Sequence, residues 1–439
     1  MKRIKTMSES DFLKALFAFL SAAFLVAAFF MPDRDTMLSG LWKICSQPGK
    51  ISTNDFDLGG YAATFLNMGL VGACYTALFY LLKATASNVS TLGFILTLGF
   101  SSWGITVVNI WPTILGVVGY SLVRKEKLGA NINAMLFSTG IAPLITDLLV
   151  RYPHAEAVGF NLPGLLVALL VGFLIGFALP AGLGHAPNVH KGFDLYSAAV
   201  PVCFFAFFLN ATLYKTLGID LPAVTSDLTV ASQSTVNLFC LILFGTCIAG
   251  ALAMGCTPKQ YLGLMTAQKH VGSVSGSLGK EVLLMNVGVY GLFILAYYNL
   301  IGASFNGVTF GIIFCMLCTC NSGSHPGNVW PIMLGYWVAS IVFGWLSQLA
   351  GGSFSLGINA QAIVIGLCFA NGLSPIVSKY GWFWGMVSAM MHYLLVTSVP
   401  NMHGGFCLYN GGFTAAVICL LLIPELERFV KTKEEKQTA

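Results

Sequence analysis

Charge is scarce in this chain. Asp, Glu, Lys and Arg make up 9% of 439 residues, against 56% hydrophobic ones, where a soluble domain carries roughly 25% charged. That balance, with a mean hydropathy of +0.79, excludes a soluble globular domain and points to a polytopic membrane protein. Carboxylates are rarest inside the apolar runs: Asp147 alone lies well inside one, and Glu281 stands where another begins. Pumps that move protons or cations through carboxylates keep such groups embedded, so no charged pathway is expected. The net charge of +5 sits in short loops and at the two ends, with no basic stripe or aromatic interleaving, so nucleic acid is not an expected partner. There is no Walker loop, no His-Glu-x-x-His, no Gly-x-Ser-x-Gly and no paired acidic motif of a lipid-phosphate enzyme.

Cysteine is not scarce, yet most of the 12 (Cys74, Cys203, Cys240, Cys247, Cys315, Cys368 and Cys419 among them) lie in apolar runs, where a thiol behaves as a small hydrophobe. Cys315, Cys318 and Cys320, followed by His325, have the residue types of a soft-metal site. The corresponding stretch, Thr91 to Trp103, holds neither Cys nor His, so no metal or other cofactor is expected.

The apolar runs of about 20 residues that a roughly 30 Å hydrocarbon core requires are 13–30, 61–82, 131–150, 162–182, 196–214, 235–255, 282–302, 330–350, 358–378, 380–399 and 407–424. Run 13–30 lacks a small-x-small cleavage site and reads as a retained first span. Three shorter runs, 91–103, 111–123 and 309–321, bring the total to fourteen if all cross. Fourteen crossings leave only Arg34, Lys43, Lys50, Arg151 and Lys215 of the 22 basic residues outside, and put Lys2, Arg3, Lys5, Lys269 and the others inside with both termini. Treating 91–103 and 309–321 as re-entrant loses this bias.

One motif occurs twice. Pro-Asn-Val-His-Lys-Gly-Phe-Asp-Leu-Tyr over 187–196 is matched by Pro-Asn-Met-His-Gly-Gly-Phe-Cys-Leu-Tyr over 400–409, an offset of 213. At an offset of 219, Asn67 and Gly69 match Asn286 and Gly288, and Asn109-Ile110-Trp111-Pro112 matches Asn328-Val329-Trp330-Pro331; Asn133 then matches Asn359, and Gly140 with Pro143 matches Gly372 with Pro375. The chain is expected to divide into a first span and extracellular loop (1–60), a first repeat (61–214), a linking span and cytoplasmic loop (215–281), a second repeat (282–424) and a cytoplasmic tail (425–439). Seven spans from one repeat to the next make the second enter from the opposite side. The expected fold is therefore all-α, about 14 helices in two inverted repeats with interrupted helices, a construction that transporters use to hold solute at the half-to-half interface.

The polar residues beside the breaks are the candidate substrate-binding set: Asn67, Asn286, Asn109, Asn328, Asn133, Asn359, Gly104, Gly323 and His325. Irregular backbone at membrane depth needs protein or a water-filled cavity around it. The amides either ligate solute or join helices by hydrogen bonds, and Asn109 and Asn328 also read as caps of the helices that follow. In the repeated motif, His190, Gly192, Tyr196, His403, Gly405 and Tyr409 recur. A proton relay is open to His190 and His403, and a capping role is the ordinary alternative. Inversion places the two histidines on opposite sides.

The His-x-Gly-Phe-x-Leu-Tyr segment, carried by His190, Gly192, Leu195 and Tyr196 and by His403, Gly405, Leu408 and Tyr409, together with the Asn-x-x-Pro helix starts, resembles the bacterial polytopic membrane family catalogued as domain-of-unknown-function family 1576. The resemblance spans residues 60 to 425 and implies an inner-membrane protein without implying a substrate. A looser, architectural similarity to urea-channel-type proteins rests on two inverted halves alone. The expected function is a transporter or channel for a small polar solute in a lipid bilayer, with homo-oligomers left open. An integral membrane enzyme using the interfacial histidines, and a structural membrane protein, are the other two classes.

Overall fold

The structure, a computed structural model, describes residues 7–153, 158–221, 226–267, 270–352 and 356–438. Lys2, Arg3, Lys5 and Lys269, counted in the charge pattern, lie outside the described residues. Among the described residues every regular element is helical. The first half contains α1 (Glu9–Ala28), α2 (Met37–Ser46), α3 (Tyr61–Leu81), α4 (Asn88–Phe100), α5 (Trp111–Val123), α6 (Ile132–Phe137), α7 (Ala142–Val150), α8 (Leu162–His185) and α9 (Ala199–Asn210). The second contains α10 (Gln233–Ala253), α11 (Pro258–Met265), α12 (Lys280–Leu300), α13 (Gly307–Leu317), α14 (Pro326–Leu349), α15 (Gln361–Ala370), α16 (Ser374–Tyr380), α17 (Trp382–Val396) and α18 (Asn410–Phe429), followed by α19 (Lys433–Thr438).

Among the described residues, eight helical segments are long and apolar enough to cross a membrane: 9–28, 61–81, 128–150, 162–190, 233–253, 280–300, 326–349 and 361–380. The sequence suggested eleven such runs and three short ones. The difference has local causes. Run 380–399 yields only the 15 residues of α17, run 196–214 yields α9 with a π-helical turn, and α18 extends into Glu425, Glu427 and Arg428.

The same capping chemistry starts equivalent helices in both halves. Ser87 caps α4 as Asn306 caps α13, by accepting from the backbone N–H three residues on. Gly60 and Gly279 precede α3 and α12 with φ of 88° and 112°, a left-handed turn that favours glycine. The duplication also reaches one helix further than the sequence suggested. α1 packs along α3 as α10 packs along α12, so 233–253 is the counterpart of the first helix and not merely a link. Both expose much of their surface, and a lipid-facing helix needs only apolar character, which leaves no residue pattern to match.

The two halves meet where α4 crosses α13. Thr91 Oγ1 accepts from Asn321 Nδ2, just beyond α13, Leu96 O lies against Cys315 Sγ, and Ser102 Oγ, just beyond α4, donates to Gly307 O. Partner numbers fall as residue numbers rise, so the equivalent helices run antiparallel. Leu96 and Cys315 are themselves 219 residues apart and mark the pseudo-twofold axis, and the repeats are therefore inverted. Gly99 and Gly311 make the crossing close: a Cβ on Gly99 would stand 2.5 Å from both Gly311 O and Cys315 Sγ. At 1.5 Å per residue α4 and α13 span only about 20 and 17 Å. They form the buried centre, and α5 and α14 turn back from them.

Contacts define two faces. Ser10 meets Ala86, Glu9 meets Ser275 and Asn88 meets Gly272 on the near face, which carries Ser8. Asn54 meets Asp227 and Val230, and Arg151 meets Asp220, on the far face. A Cβ on Gly129 would approach the Leu82 carbonyl and Ala84, so α4 leaves the near face and α5 returns to it.

Candidate functional site

Each helix break is sewn by two asparagines in the same way. In the first half Asn67 Nδ2 donates to Ser101 O (2.7 Å) and Ile105 O (2.8 Å), and its Oδ1 accepts from Val107 N. Asn286 Nδ2 donates to Cys320 O and Ser324 O, both 2.9 Å, and its Oδ1 accepts from Tyr261. Asn109 Nδ2 donates to Gly104 O and Thr146 Oγ1 while its Oδ1 accepts from Thr106 N. Asn328 repeats this with Gly323 O, Ser378 Oγ and His325 N. Of the two roles open to these amides, this conformation displays hydrogen bonding of irregular backbone; all four are buried.

Gly104 and Gly323, at φ of 155° and 95°, occupy the turns whose carbonyls Asn109 and Asn328 hold. His325 is the N-cap of α14, its Nδ1 accepting from Gly327 N at 3.1 Å. Asn133 is half-buried and accepts from Ser90 Oγ, whereas Asn359 is exposed at the start of α15. The structure does not bring this last pair to the breaks. His392, mid-helix, is fully partnered: its Nε2 donates to Gly411 O and its Nδ1 accepts from Tyr336. No grouping of three or more His, Cys, Asp or Glu side chains suited to a metal occurs among the described residues.

The repeated motif forms two clasps, each closing on the opposite half. His190 Nδ1 accepts from Gly192 N and Asp194 N and its Nε2 meets Ser197 Oγ, so the ring organises its own loop. His403 Nδ1 accepts from Cys407 N. This loop-organising role is the capping alternative read from the sequence. The glycines supply φ of 82° at Gly192 and 83° at Gly405. Beyond them, Leu195 N donates to Gly372 O in the α15–α16 break, and Leu408 N donates to Gly140 O in the α6–α7 break, at 3.1 and 2.8 Å. Tyr196 and Tyr409 then lie against the same glycines. Tyr196 OH reaches Asn371 Oδ1 (2.9 Å), Cys315 O (2.8 Å) and Cys368 O (3.2 Å) beside the pseudo-twofold axis; Tyr409 OH is buried without a partner among the described residues.

The two clasps flank mouths at opposite faces. On the near face a cavity of about 310 Å³ is lined by Lys191, Gly192, Phe193, His270, Pro375, Lys379 and the start of the tail. Gly192 is exposed, with no atom within 4 Å of its missing Cβ. On the far face the equivalent Gly405 is buried. Ile51 N donates to Gly405 O, and the Lys50 side chain lies where a Cβ would stand. Segment 47–54 thus fills on the far face what is open on the near one. Beside it Asp147 accepts from Arg151 Nε at 2.8 Å and also from Tyr214 OH. A larger apolar cavity of about 640 Å³ lies between α1 and α10, remote from the breaks.

Sequence reading missed two buried carboxyls, each with one oxygen unpartnered among the described residues: Asp55, below segment 47–54, and Asp194, inside the near clasp. Burial raises both above the usual carboxylate range, Asp194 to about 7. Asp194 stands where the second motif has Cys407, so comparing the copies could have singled it out.

Residues 33–215 and 274–428 match the family described as a protein of unknown function, DUF1576, and the chain belongs to it. The two matched segments begin after α1 and after α10 and otherwise follow the duplicated halves. No curated protein and no solved structure matches the chain.

Proposed function

We propose that this DUF1576 chain is a transporter of a small polar solute in the bacterial inner membrane, with both termini cytoplasmic, in which the two inverted halves expose a path to the two faces in turn. The observation that carries this reading is the inequality of two mouths built from equivalent parts: Gly192 is exposed beside a cavity and Gly405 is buried beneath segment 47–54. Inverted repeats have nearly the same structure with the roles of the faces exchanged, so an open near mouth and a filled far mouth correspond to one end of an alternating cycle. The asparagine-sewn breaks are the joints about which α5 and α14 would move. The close α4–α13 crossing seals the centre between the mouths in this state.

The test combines flux with accessibility. Phe193→Cys and Phe406→Cys would be introduced singly, against native cysteines that are all buried or half-buried, and probed with a membrane-impermeant maleimide from either side. Phe193→Cys should label from the near face and Phe406→Cys should resist. Transported solute should raise labelling of Phe406→Cys from the far face and lower that of Phe193→Cys. Labelling that no solute alters, with no flux in proteoliposomes, overturns the reading.

A further inference from the structure

Each mouth presents a cation over the ring of the motif phenylalanine. Lys379 Nζ stands 5.1 Å from the Phe193 centroid on the near face, and Lys50 Nζ stands 5.9 Å from that of Phe406 on the far face. The two lysines are not repeat equivalents: Lys379 belongs to the broken helix and corresponds to Asp147, whereas Lys50 comes from the segment before α3. The same charge has been placed at the same spot by different parts of the chain.

We infer that the solute is an anion carrying a carboxylate or phosphate, received at the near mouth by Lys379, Lys191 and Lys433 and met at the far mouth by Lys50; this rests on the transport reading and names its substrate class.

The near cavity draws its three lysines from three separate segments, the clasp, α16 and the tail. Lys191 is offset by Glu427 at 2.6 Å, and Glu434 is the remaining acid of the lining. Burial lowers the Lys433 amine, and Glu435, just beyond the lining, acts on Lys379. His270 adds two buried ring nitrogens without a hydrogen-bond partner among the described residues, with the Ser322 carbonyl and the His325 ring nearby. About 310 Å³ is at the small end for a ligand site and suits a solute of few atoms.

Cytoplasmic retention of basic residues accounts for lysines on one face only. It does not account for the far mouth. Of the five basic residues that the charge pattern assigns outside, Lys50 and Arg151 both lie there, Arg151 ion-paired with Asp147 and Lys50 without an ion pair among the described residues, though close enough to Asp147 and Arg151 to feel both charges.

The experiment uses the full chain in zwitterionic nanodiscs and proteoliposomes. Inorganic phosphate and succinate are compared with urea and glycerol, for binding by calorimetry and for uptake. Lys379→Gln and Lys50→Gln are set against the exposed control Lys127→Gln. Anions should bind and move, with about tenfold weaker binding in Lys379→Gln, about tenfold slower uptake in both mouth variants and no change in Lys127→Gln. Uptake of urea or glycerol that is indifferent to both lysines overturns the anion assignment and leaves transport standing. Anion binding without any uptake overturns transport and leaves the anion site. Anion binding abolished by phosphatidylglycerol in the nanodisc, again without uptake, assigns the lysines to lipid headgroups and overturns the solute reading.

Discussion

Removing one oxygen atom at either of two equivalent positions should have opposite consequences. Tyr196 and Tyr409 end the two copies of the motif and lie against the equivalent Gly372 and Gly140. Only Tyr196 has partners for its hydroxyl, and Asn371 Oδ1, at 2.9 Å, accepts from no other described group. Tyr196→Phe therefore removes a buried hydrogen bond and strands an amide oxygen, a loss of about 1–3 kcal/mol. Tyr409 OH is buried without a partner among the described residues, so Tyr409→Phe removes a hydroxyl whose desolvation nothing offsets, and should leave stability unchanged or raise it by about 1 kcal/mol. Phe fits both sites because the ring contacts stay: Tyr196 packs on Phe369 at 5.0 Å and Tyr409 on Phe100 at 5.3 Å. The measurement is the unfolding midpoint in mixed dodecyl maltoside and SDS micelles. Equal losses from the two substitutions would refute the asymmetric clasp, and so would a loss confined to Tyr409→Phe.

Gly311→Ala should cost at least about 2 kcal/mol in the same assay, because its Cβ would meet Gly99 O and Ser102 Oγ and stand 2.8 Å from Trp103 Nε1, and backbone gives way only if the helices part. A neutral Gly311→Ala would remove the close crossing from the fold. Asn109→Leu with Asn328→Leu should abolish flux and also lower stability by about 1–3 kcal/mol per site, since Gly104 O and Gly323 O each lose a donor; undiminished flux in folded protein would detach the breaks from the path. For pH, Asp194 rises from 3.8 in the free chain to about 7 by burial, against one hydrogen bond from Tyr196 N that lowers it. The groups facing it are His190, whose Nδ1 accepts from its N–H, and Cys419 on α18. The folded state holds the proton more tightly. Its stabilising effect is therefore complete below about pH 4 and is lost as pH climbs through 7, by at most about 1.4 kcal/mol per unit. The buried rings of His190 and His403, lowered to about 4 and about 3, give the wild type an opposite slope over pH 4 to 6.5, so the measured quantity is the difference in unfolding midpoint between wild type and Asp194→Asn, which should fall from pH 4 to 8.

Much of the architecture was legible because helix breaks leave residue signatures. Gly104 and Gly323 with Asn109 and Asn328 match at one offset, since the same turn needs the same left-handed glycine and the same amide to hold its carbonyl. The inversion was legible through the count of apolar runs and the charge bias, and the antiparallel α4–α13 crossing gives it geometry. The kinship of α1 and α10 was not legible, because a lipid-facing surface selects hydrophobicity and not particular residues. Nor was the exchange of clasps. It depends on backbone bonds from Leu195 to Gly372 and from Leu408 to Gly140, which any residue can make. Asn371 escaped notice because its counterpart is Thr139, whose hydroxyl turns to Leu136 O in its own turn and leaves Tyr409 alone.

Departures from symmetry are accordingly more informative than the repeat. If both halves were identical, the near-open and far-open arrangements would be equal in energy, and neither face would be favoured at rest. The chain differs at positions where the copies could have agreed: Lys379 against Asp147, Asp194 against Cys407, Asn371 against Thr139. Segment 47–54 has its Ile51 N and Lys50 side chain committed to Gly405, while the near mouth is bordered by the charged tail at Lys433 and Glu434. Segment 47–54 stabilises the far clasp closed, whereas Asn371 tightens the near clasp through Tyr196. A ligand that shifts this balance must bind the far-open form more tightly by more than these contacts supply. A cation over each motif ring provides an anion with the same partner at both ends of such a cycle.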